Sequence, residues 1–225
     1  MSRTRTHVAV SRIRVPSRPV QMSPTFRTRI VGLGGTTRAG SSSEKALRFA
    51  LSAAAAVGAD VDAFVGPDLD IPMYVAQTTQ RTAQTGRIIE ALRRADGIII
   101  ASPGYHGSIS GLVKNALDYV EDMRLDTSPY FDGRGVGLIA CAAGWQAAGS
   151  TLAALRSIVH ALRGWPTPMA VTVCTLGSPF DDTGTPTDSA VRAQLITLAE
   201  QTVRFARMHS LYSSRPAEIA ALEVE

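Results

Sequence analysis

Apolar residues in this chain follow two alternating patterns. Short, nearly unbroken runs bounded by Gly, Asp or Pro occur at Ile30, Val31 and Leu33 and at residues 97–101, 135–142 and 169–175, and residues 60–65, interrupted by Asp60 and Asp62, read as a further strand. Runs of this length, rich in Ile and Val, are the pattern of strands buried on both faces. Between them the apolar spacing changes to three and four. Ala46, Leu47, Ala50, Leu51 and Ala54 form one stripe in residues 43–57, and Ile88, Ile89 and Leu92 form another in residues 85–95. Leu112, Val113, Ala116, Leu117 and Val120 mark a third. Residues 150–162 carry Leu152, Leu155, Ile158 and Val159, and residues 188–208 carry Val191, Leu195, Leu198 and Val203. Five strands alternating with five helices predict a three-layer α/β sandwich over residues 29–208.

The flanks lack either period. Residues 1–28 are rich in Arg, Ser, Thr and Pro and read as a flexible extension. An Arg-rich, acid-free leader superficially suits a transit peptide, but Pro16, Pro19 and Pro24 work against the amphipathic helix that targeting needs. Met22 is an alternative beginning, and an inert arm is the expectation. Residues 209–225 read as a short C-terminal tail.

Composition then narrows the class. A chain of 225 residues with 45% hydrophobic content and mean hydropathy +0.07 fits one globular domain with a sizeable core. No apolar run approaches the roughly 18 residues of a membrane span, so no membrane partner is expected. The net charge of +4 is unevenly spread. Residues 1–29 hold seven arginines and no acid, which leaves 16 basic and 19 acidic groups, a net of −3, on the remainder. The body therefore lacks the basic excess of a nucleic-acid binder. Cys141 and Cys174 each lie inside an apolar run and read as small buried strand residues, not as a disulfide or a metal site.

Three loops at the carboxyl ends of strands carry the candidate chemistry, because the crevice of a parallel sheet lies there. The first is Gly35-Thr36-Thr37-Arg38-Ala39-Gly40-Ser41-Ser42-Ser43, between strand one and helix one. A helix N-terminus offers free N–H groups and partial positive charge, Thr36, Ser41 and Ser43 offer hydroxyls, and Arg38 offers a charge-assisted hydrogen bond, so the loop suits a phosphate. The dinucleotide fingerprint fails at Thr37, and no Gly-Lys-Ser/Thr triplet is present. From the residues alone, a helix cap followed by a polar turn explains the loop as well.

The second loop is Ser102-Pro103-Gly104-Tyr105-His106-Gly107-Ser108-Ile109-Ser110-Gly111, whose glycines leave backbone groups open to a flat polar ring. Tyr105 either lines such a site or covers the loop. Lys114 and Asp118, one turn apart on the next helix, read as a solvated ion pair. The third loop, Ala143-Gly144-Trp145-Gln146-Ala147-Ala148-Gly149, leads into the fourth helix, with Trp145 either a core anchor or a wall of the site. Tyr130 and Phe131, in the polar stretch 121–134, suggest a substrate wall or a subunit contact.

Residues 102–111, with their continuation Leu112-Val113-Lys114-Asn115-Ala116-Leu117-Asp118, resemble the NADPH-dependent FMN reductases, a flavodoxin-like family that includes quinone and azo-dye reductases. The first loop resembles that family's Gly-Ser-x-Arg-x-x-Ser-x-Ser/Asn signature, with Thr36 in place of Ser. Residues 69–74 resemble its Leu-Pro-Leu-Tyr/Phe segment. The resemblance implies a five-stranded parallel sheet in the order 2-1-3-4-5. It also implies FMN as cofactor and NAD(P)H as hydride donor, with no catalytic side chain strictly required. The cofactor contacts it implies are Thr36, Arg38, Ser41 and Ser43 at the phosphate; Pro103, Gly104, Tyr105, His106, Gly107 and Ser108 at the ring; and Gly144, Trp145 and Gln146 at the pyrimidine side. Ala147-Ala148 replace the family's usual Gly-Gly. Electrons would pass to a small-molecule acceptor such as a quinone or azo compound, or reduced FMN would serve a flavin-dependent monooxygenase. A cytoplasmic homodimer or homotetramer is the expected form. An electron carrier without NAD(P)H activity and a non-redox binding protein are the rival readings.

Overall fold

The computed structural model describes residues 27–213. The element order is β1 (Arg29–Gly34), α1 (Ser42–Ala56), β2 (Asp60–Val65), α2 (Ala83–Arg93), β3 (Gly97–Tyr105), β4 (Ser108–Ile109), α3 (Gly111–Asp118), β5 (Gly135–Ala142), α4 (Trp145–Ala161), β6 (Trp165–Cys174) and α5 (Ser189–Ser213). The sheet runs β2-β1-β3-β5-β6, parallel throughout, and β4 folds back antiparallel on the end of β3. With β4 set aside, this is the 2-1-3-4-5 order of the flavodoxin-like fold.

Alternation along the strands divides the core into two layers. Val31, Leu33, Ile98, Ile100 and Leu138 face α2, α3 and α4, whereas Ile30, Ile99, Ala101, Ile139 and Val171 face α1 and α5. The central strand is buried from Gly97 to Pro103. Each fully buried Ile there contributes about 1.5–3 kcal/mol relative to exposure. Helix α5 lies so close to the sheet that a Cβ at Gly137 would stand 2.5 Å from Leu198 Cδ2.

The structure differs from the sequence pattern at several boundaries. Strand β6 begins at Trp165, four residues before the expected start, and includes Pro166 and Pro168. Its place at the sheet edge explains this, since an edge strand tolerates residues that cannot donate to a ladder. Helix α5 continues to Ser213, so the first five residues expected to form a tail are helical. Thr28 is buried, and its carbonyl accepts from Asp60 N at 2.9 Å, which starts the body one residue early. Arg27 precedes it and pairs with Asp60 at 3.2 Å, while residues 1–26 of the expected extension and 214–225 of the expected tail lie outside the described residues. Phe131 is fully buried, and Tyr130 is half-buried beneath the Arg163 guanidinium, 5.4 Å from the ring centre. These aromatics are packing residues ahead of β5, at the opposite end of the sheet from the three loops. The Lys114–Asp118 pair, at 2.6 Å with both side chains about half exposed, is the solvated pair expected.

Candidate active site

The carboxyl ends of β1, β3, β5 and β6 open onto one cleft of about 370 Å³. The β1–α1 loop gives it Thr36, Arg38, Ser41, Ser42 and Ser43; the end of β3 gives Pro103, Gly104 and Tyr105; β5 and β6 give Cys141, Ala142, Ala143 and Thr175. No carboxylate lines it. A cleft of hydroxyls, one guanidinium and no acid suits an anion and disfavours a cation.

The β1–α1 loop is held by its own polar groups. Ser41 caps α1, its Oγ accepting from Glu44 N at 3.3 Å. Glu44 reaches back to accept from Gly40 N at 2.9 Å, and its other oxygen accepts from Arg48 Nε at 2.8 Å. Thr36 Oγ1 accepts from Arg38 N at 3.1 Å, closing a tight turn. Ser41 and Ser43 share a hydroxyl hydrogen bond of 3.3 Å and are almost wholly buried. Ser41 thus serves the helix as its cap, and Arg38 is exposed without an ion-pair partner among the described residues.

The second loop is a β-hairpin. Gly104 pairs with Ile109 and Tyr105 with Ser108, leaving His106 and Gly107 as a two-residue turn. Their φ values, 50° and 86°, are the positive pair that a type I′ turn requires. His is among the few non-glycine residues that occupy this region with any frequency, as is Asn. Position 106 thus meets a demand of backbone conformation, and His106 is not among the residues that line the cleft. At the base of the hairpin, Ser102 Oγ donates to Pro103 O at 2.9 Å and accepts from Ser110 N at 3.0 Å; Ser110 in turn caps α3. Gly104 lies against α4, where a Cβ would stand 2.6 Å from Thr151 Oγ1 and 3.1 Å from Ala142 Cβ. Thr151 also donates to Ser108 O at 3.3 Å, joining the hairpin to α4.

The third loop is shorter than its sequence suggests. Gly144 is the N-cap of α4, and Trp145 and Gln146 are its first helical residues. Ala148 N bonds to Gly144 O at 3.0 Å and its side chain is fully buried. Trp145 is 65% exposed and is not a core anchor.

Seven of the thirteen residues implied by resemblance line the cleft: Thr36, Arg38, Ser41, Ser43, Pro103, Gly104 and Tyr105. His106, Gly107 and Ser108 form the hairpin tip beside it. Gly144, Trp145 and Gln146 begin the helix just beyond Ala143 and do not line it. Sequence reasoning passed over Ser42, Cys141, Ala142, Ala143 and Thr175. Their signal was positional, since each sits in a polar loop or within two residues of the end of a strand that opens on the crevice. Cys141 and Cys174 are one register step apart on adjacent strands, so they point to opposite faces and both thiols are free. Burial pushes the Cys141 thiol up to about 12.

The region 70–82 flanks α3. Asn115 donates to Ile71 O and Pro72 O and accepts from Tyr74 N, at 3.2, 2.9 and 2.8 Å. Arg81 makes two hydrogen bonds to Asp122, at 2.7 and 2.8 Å, and lies about 5 Å from the ring centres of both Tyr74 and Tyr119.

Comparison with known proteins agrees with this architecture. The model of the family described as NADPH-dependent FMN reductase matches residues 28–175. An NADPH azoreductase of Bacillus sp. (strain OY1-2) is 33% identical over 76 residues, 33% of this chain and 39% of that protein. An FMN-dependent NADPH-azoreductase of Staphylococcus aureus is 39% identical over 82 residues, 36% of this chain and 40% of that protein. The chain thus matches about two-fifths of the length of these relatives. Among solved structures, the flavoenzyme NAD(P)H:(acceptor) oxidoreductase FerB of Paracoccus denitrificans superposes with a TM-score of 0.67 at 17% identity, covering 81% of this chain and 98% of its own. The apo form of the NADH:FMN oxidoreductase EmoB gives 0.60 at 20% identity, covering 84% and 92%. These likenesses concern the fold, and the family match spans all the strands and loops that build the cleft. The chain belongs to the NADPH-dependent FMN reductase family.

Proposed function

We propose that the chain binds FMN in this cleft and catalyses its reduction by NADPH. The observation that carries the reading is the donor set: Arg38, a run of hydroxyls and the first turn of a 15-residue helix converge with no carboxylate among the lining residues. This is the chemistry that a 5′-phosphate demands. Both curated relatives carry NADPH in their names, and the Staphylococcus aureus protein carries FMN as well, which supports the same assignment.

Within this reading Arg38 and the first turn of α1 hold the phosphate, with Ser42 and Ser43 supplying hydroxyls. The backbone of Pro103, Gly104 and Tyr105 and of Ala142 and Ala143 flanks the ring. FMN, when bound, supplies the hydride chemistry, so the protein's share is position, electrostatics and exclusion of water. No side chain of the cleft is required to move a proton. Tyr105 and Trp145, both exposed, stand as walls for the molecule that takes the electrons. That acceptor is a quinone or an azo compound, or a flavin-dependent monooxygenase that receives the reduced flavin. The working form is a cytoplasmic homo-oligomer.

Replacing Arg38 tests the phosphate assignment. Loss of one hydrogen bond to a charged group costs about 1.5–3 kcal/mol. Arg38→Ala is therefore expected to weaken FMN binding by about ten- to a hundredfold, read by quenching of flavin fluorescence. Riboflavin, which lacks the phosphate, should bind the variant and the wild type equally. Unchanged FMN affinity would contradict the assignment.

A further inference from the structure

Helix α1 begins with a capping signature of which only half is closed. Ser41 and Glu44 have the Ser-x-x-Glu spacing of a capping box. In such a box the serine hydroxyl accepts from the N–H of the third helical residue, and that residue's carboxylate accepts from the N–H of the serine. The first half is present, with Ser41 Oγ accepting from Glu44 N at 3.3 Å. The second half is displaced by one residue: Glu44 Oε2 accepts from Gly40 N at 2.9 Å. The N–H groups of Ser41, Ser42 and Ser43 therefore have no hydrogen-bond acceptor among the described residues. All three of these residues line the cleft.

Packing holds the carboxylate in this displaced position. Gly40 has φ 69°, and this left-handed residue turns the chain into the cap. A Cβ at Gly35 would stand 3.5 Å from Glu44 Cβ, and one at Gly66 would stand 3.0 Å from Thr36 O and 4.0 Å from Glu44 Oε2. One side chain thus touches the start of the β1–α1 loop, its last residue before the cap and the turn after β2. The Glu44 side chain is only 11% exposed, so its charge needs a counterion. Arg48, one turn along α1, supplies it through Nε, which donates to Glu44 Oε1 at 2.8 Å. Arg48 is 56% exposed and has no other ion-pair or hydrogen-bond partner among the described residues. Left unpaired, the carboxylate would stand behind the wall that receives a phosphate, where a like charge opposes binding.

We propose that Glu44 is a positioning residue for the flavin phosphate, and that Arg48 acts through it by cancelling its charge. Glu44 ties down the loop through Gly40 N–H and thereby leaves three consecutive amides of the cap and first turn open to the anion. This rests on the reading of the cleft as an FMN site.

Fluorescence titration of the purified full chain with FMN and with riboflavin tests it. Riboflavin lacks the phosphate, so the ratio of the two affinities isolates the phosphate contacts. Arg48→Ala leaves the carboxylate uncompensated and should weaken FMN binding by about three- to tenfold, with riboflavin unchanged. Glu44→Gln keeps an acceptor for Gly40 N–H without the charge, so Arg48→Ala/Glu44→Gln should return the wild-type FMN affinity. Glu44→Ala removes the acceptor too and should weaken FMN by about tenfold, whereas Glu44→Gln alone should bind it at least as tightly as the wild type. A wild type that does not distinguish FMN from riboflavin would overturn the phosphate reading of the cleft and this inference with it. A wild type that prefers FMN would overturn the inference alone if Arg48→Ala left that preference intact, weakened both flavins alike, or was not restored by Glu44→Gln. Equal FMN affinity in Glu44→Ala and Glu44→Gln would remove the positioning role.

Discussion

Cys141 and Trp145, four residues apart, end on opposite sides of the boundary between core and solvent, with exposures of 3% and 65%. The sequence reading of Cys141 as a small buried strand residue was available because its neighbours form an unbroken apolar run. Burial holds its thiol near 12, against about 9 in the unfolded chain. The half-buried Cys174 should therefore be alkylated by iodoacetamide before Cys141 in the native protein at pH 8, as peptide mass spectrometry would detect. The linkage runs in one direction. The folded state holds the proton more tightly, so its contribution to stability is intact below about pH 9 and is lost as pH rises from 9 towards 12. Urea unfolding over the lower part of this range should show a steeper fall for the wild type than for Cys141→Ala. Trp145 was not legible. Its helix begins at Gly144, which has no side chain to act as a cap, while the recognisable hydroxyl signal, Ser150, lies a turn and a half further in. Ala147 and Ala148, strong helix formers in place of glycines, extend the helix back to Trp145. Trp145→Ala should leave the thermal midpoint almost unchanged, within the roughly 0.5 kcal/mol typical of surface changes, while altering kcat/KM for aromatic acceptors. A large loss of stability would return Trp145 to the core.

At the scale of elements, the hairpin and the stretch 70–82 show what a one-dimensional pattern conceals. The apolar run alone ended β3 at Ala101, yet the strand continues four residues into the loop. The continuation is stabilised by pairing with β4, a few residues on, and by Thr151 of α4, which reaches Ser108 O from forty-three positions away. Gly104 is the point of closest approach. Gly104→Ala should cost about 1–3 kcal/mol through overpacking and weaken FMN binding with it, as thermal melting and flavin titration together would reveal. Full stability in this variant would mean that α4 can withdraw without consequence. Residues 75–84 looked merely polar. Arg81, however, is tied to Asp122 across forty-one positions and lies against two tyrosine rings, an arrangement that no local spacing announces. Arg81→Ala removes hydrogen bonds to a charged group, and a loss of about 1.5–3 kcal/mol is expected, with faster amide exchange confined to residues 70–82. Arg81→Lys should recover little of it, since lysine has no planar fork to meet both carboxylate oxygens.

For the whole molecule, the alternation of buried runs and helical stripes was enough to indicate the layered sandwich. The strand order came from resemblance, and the structure has that order. The crevice follows from the order: β1 and β3 are neighbours whose connections leave in opposite directions, so the loops after them face each other across an open end. The cleft's anion-seeking character arises from the same arrangement, which brings the start of α1 to the ends of β3, β5 and β6. Among the described residues no helix is long and apolar enough to cross a membrane, and no cluster of His, Cys, Asp and Glu is placed to hold a metal ion. The central claim is that this cleft holds FMN where NADPH can reduce it. The most direct test is an anaerobic absorbance titration of the purified full chain, loaded with FMN, against NADPH. The account predicts that the flavin band bleaches in proportion to added NADPH and returns when a quinone or air is admitted. Bound flavin that NADPH leaves oxidised, or a protein that takes up no FMN, would contradict it.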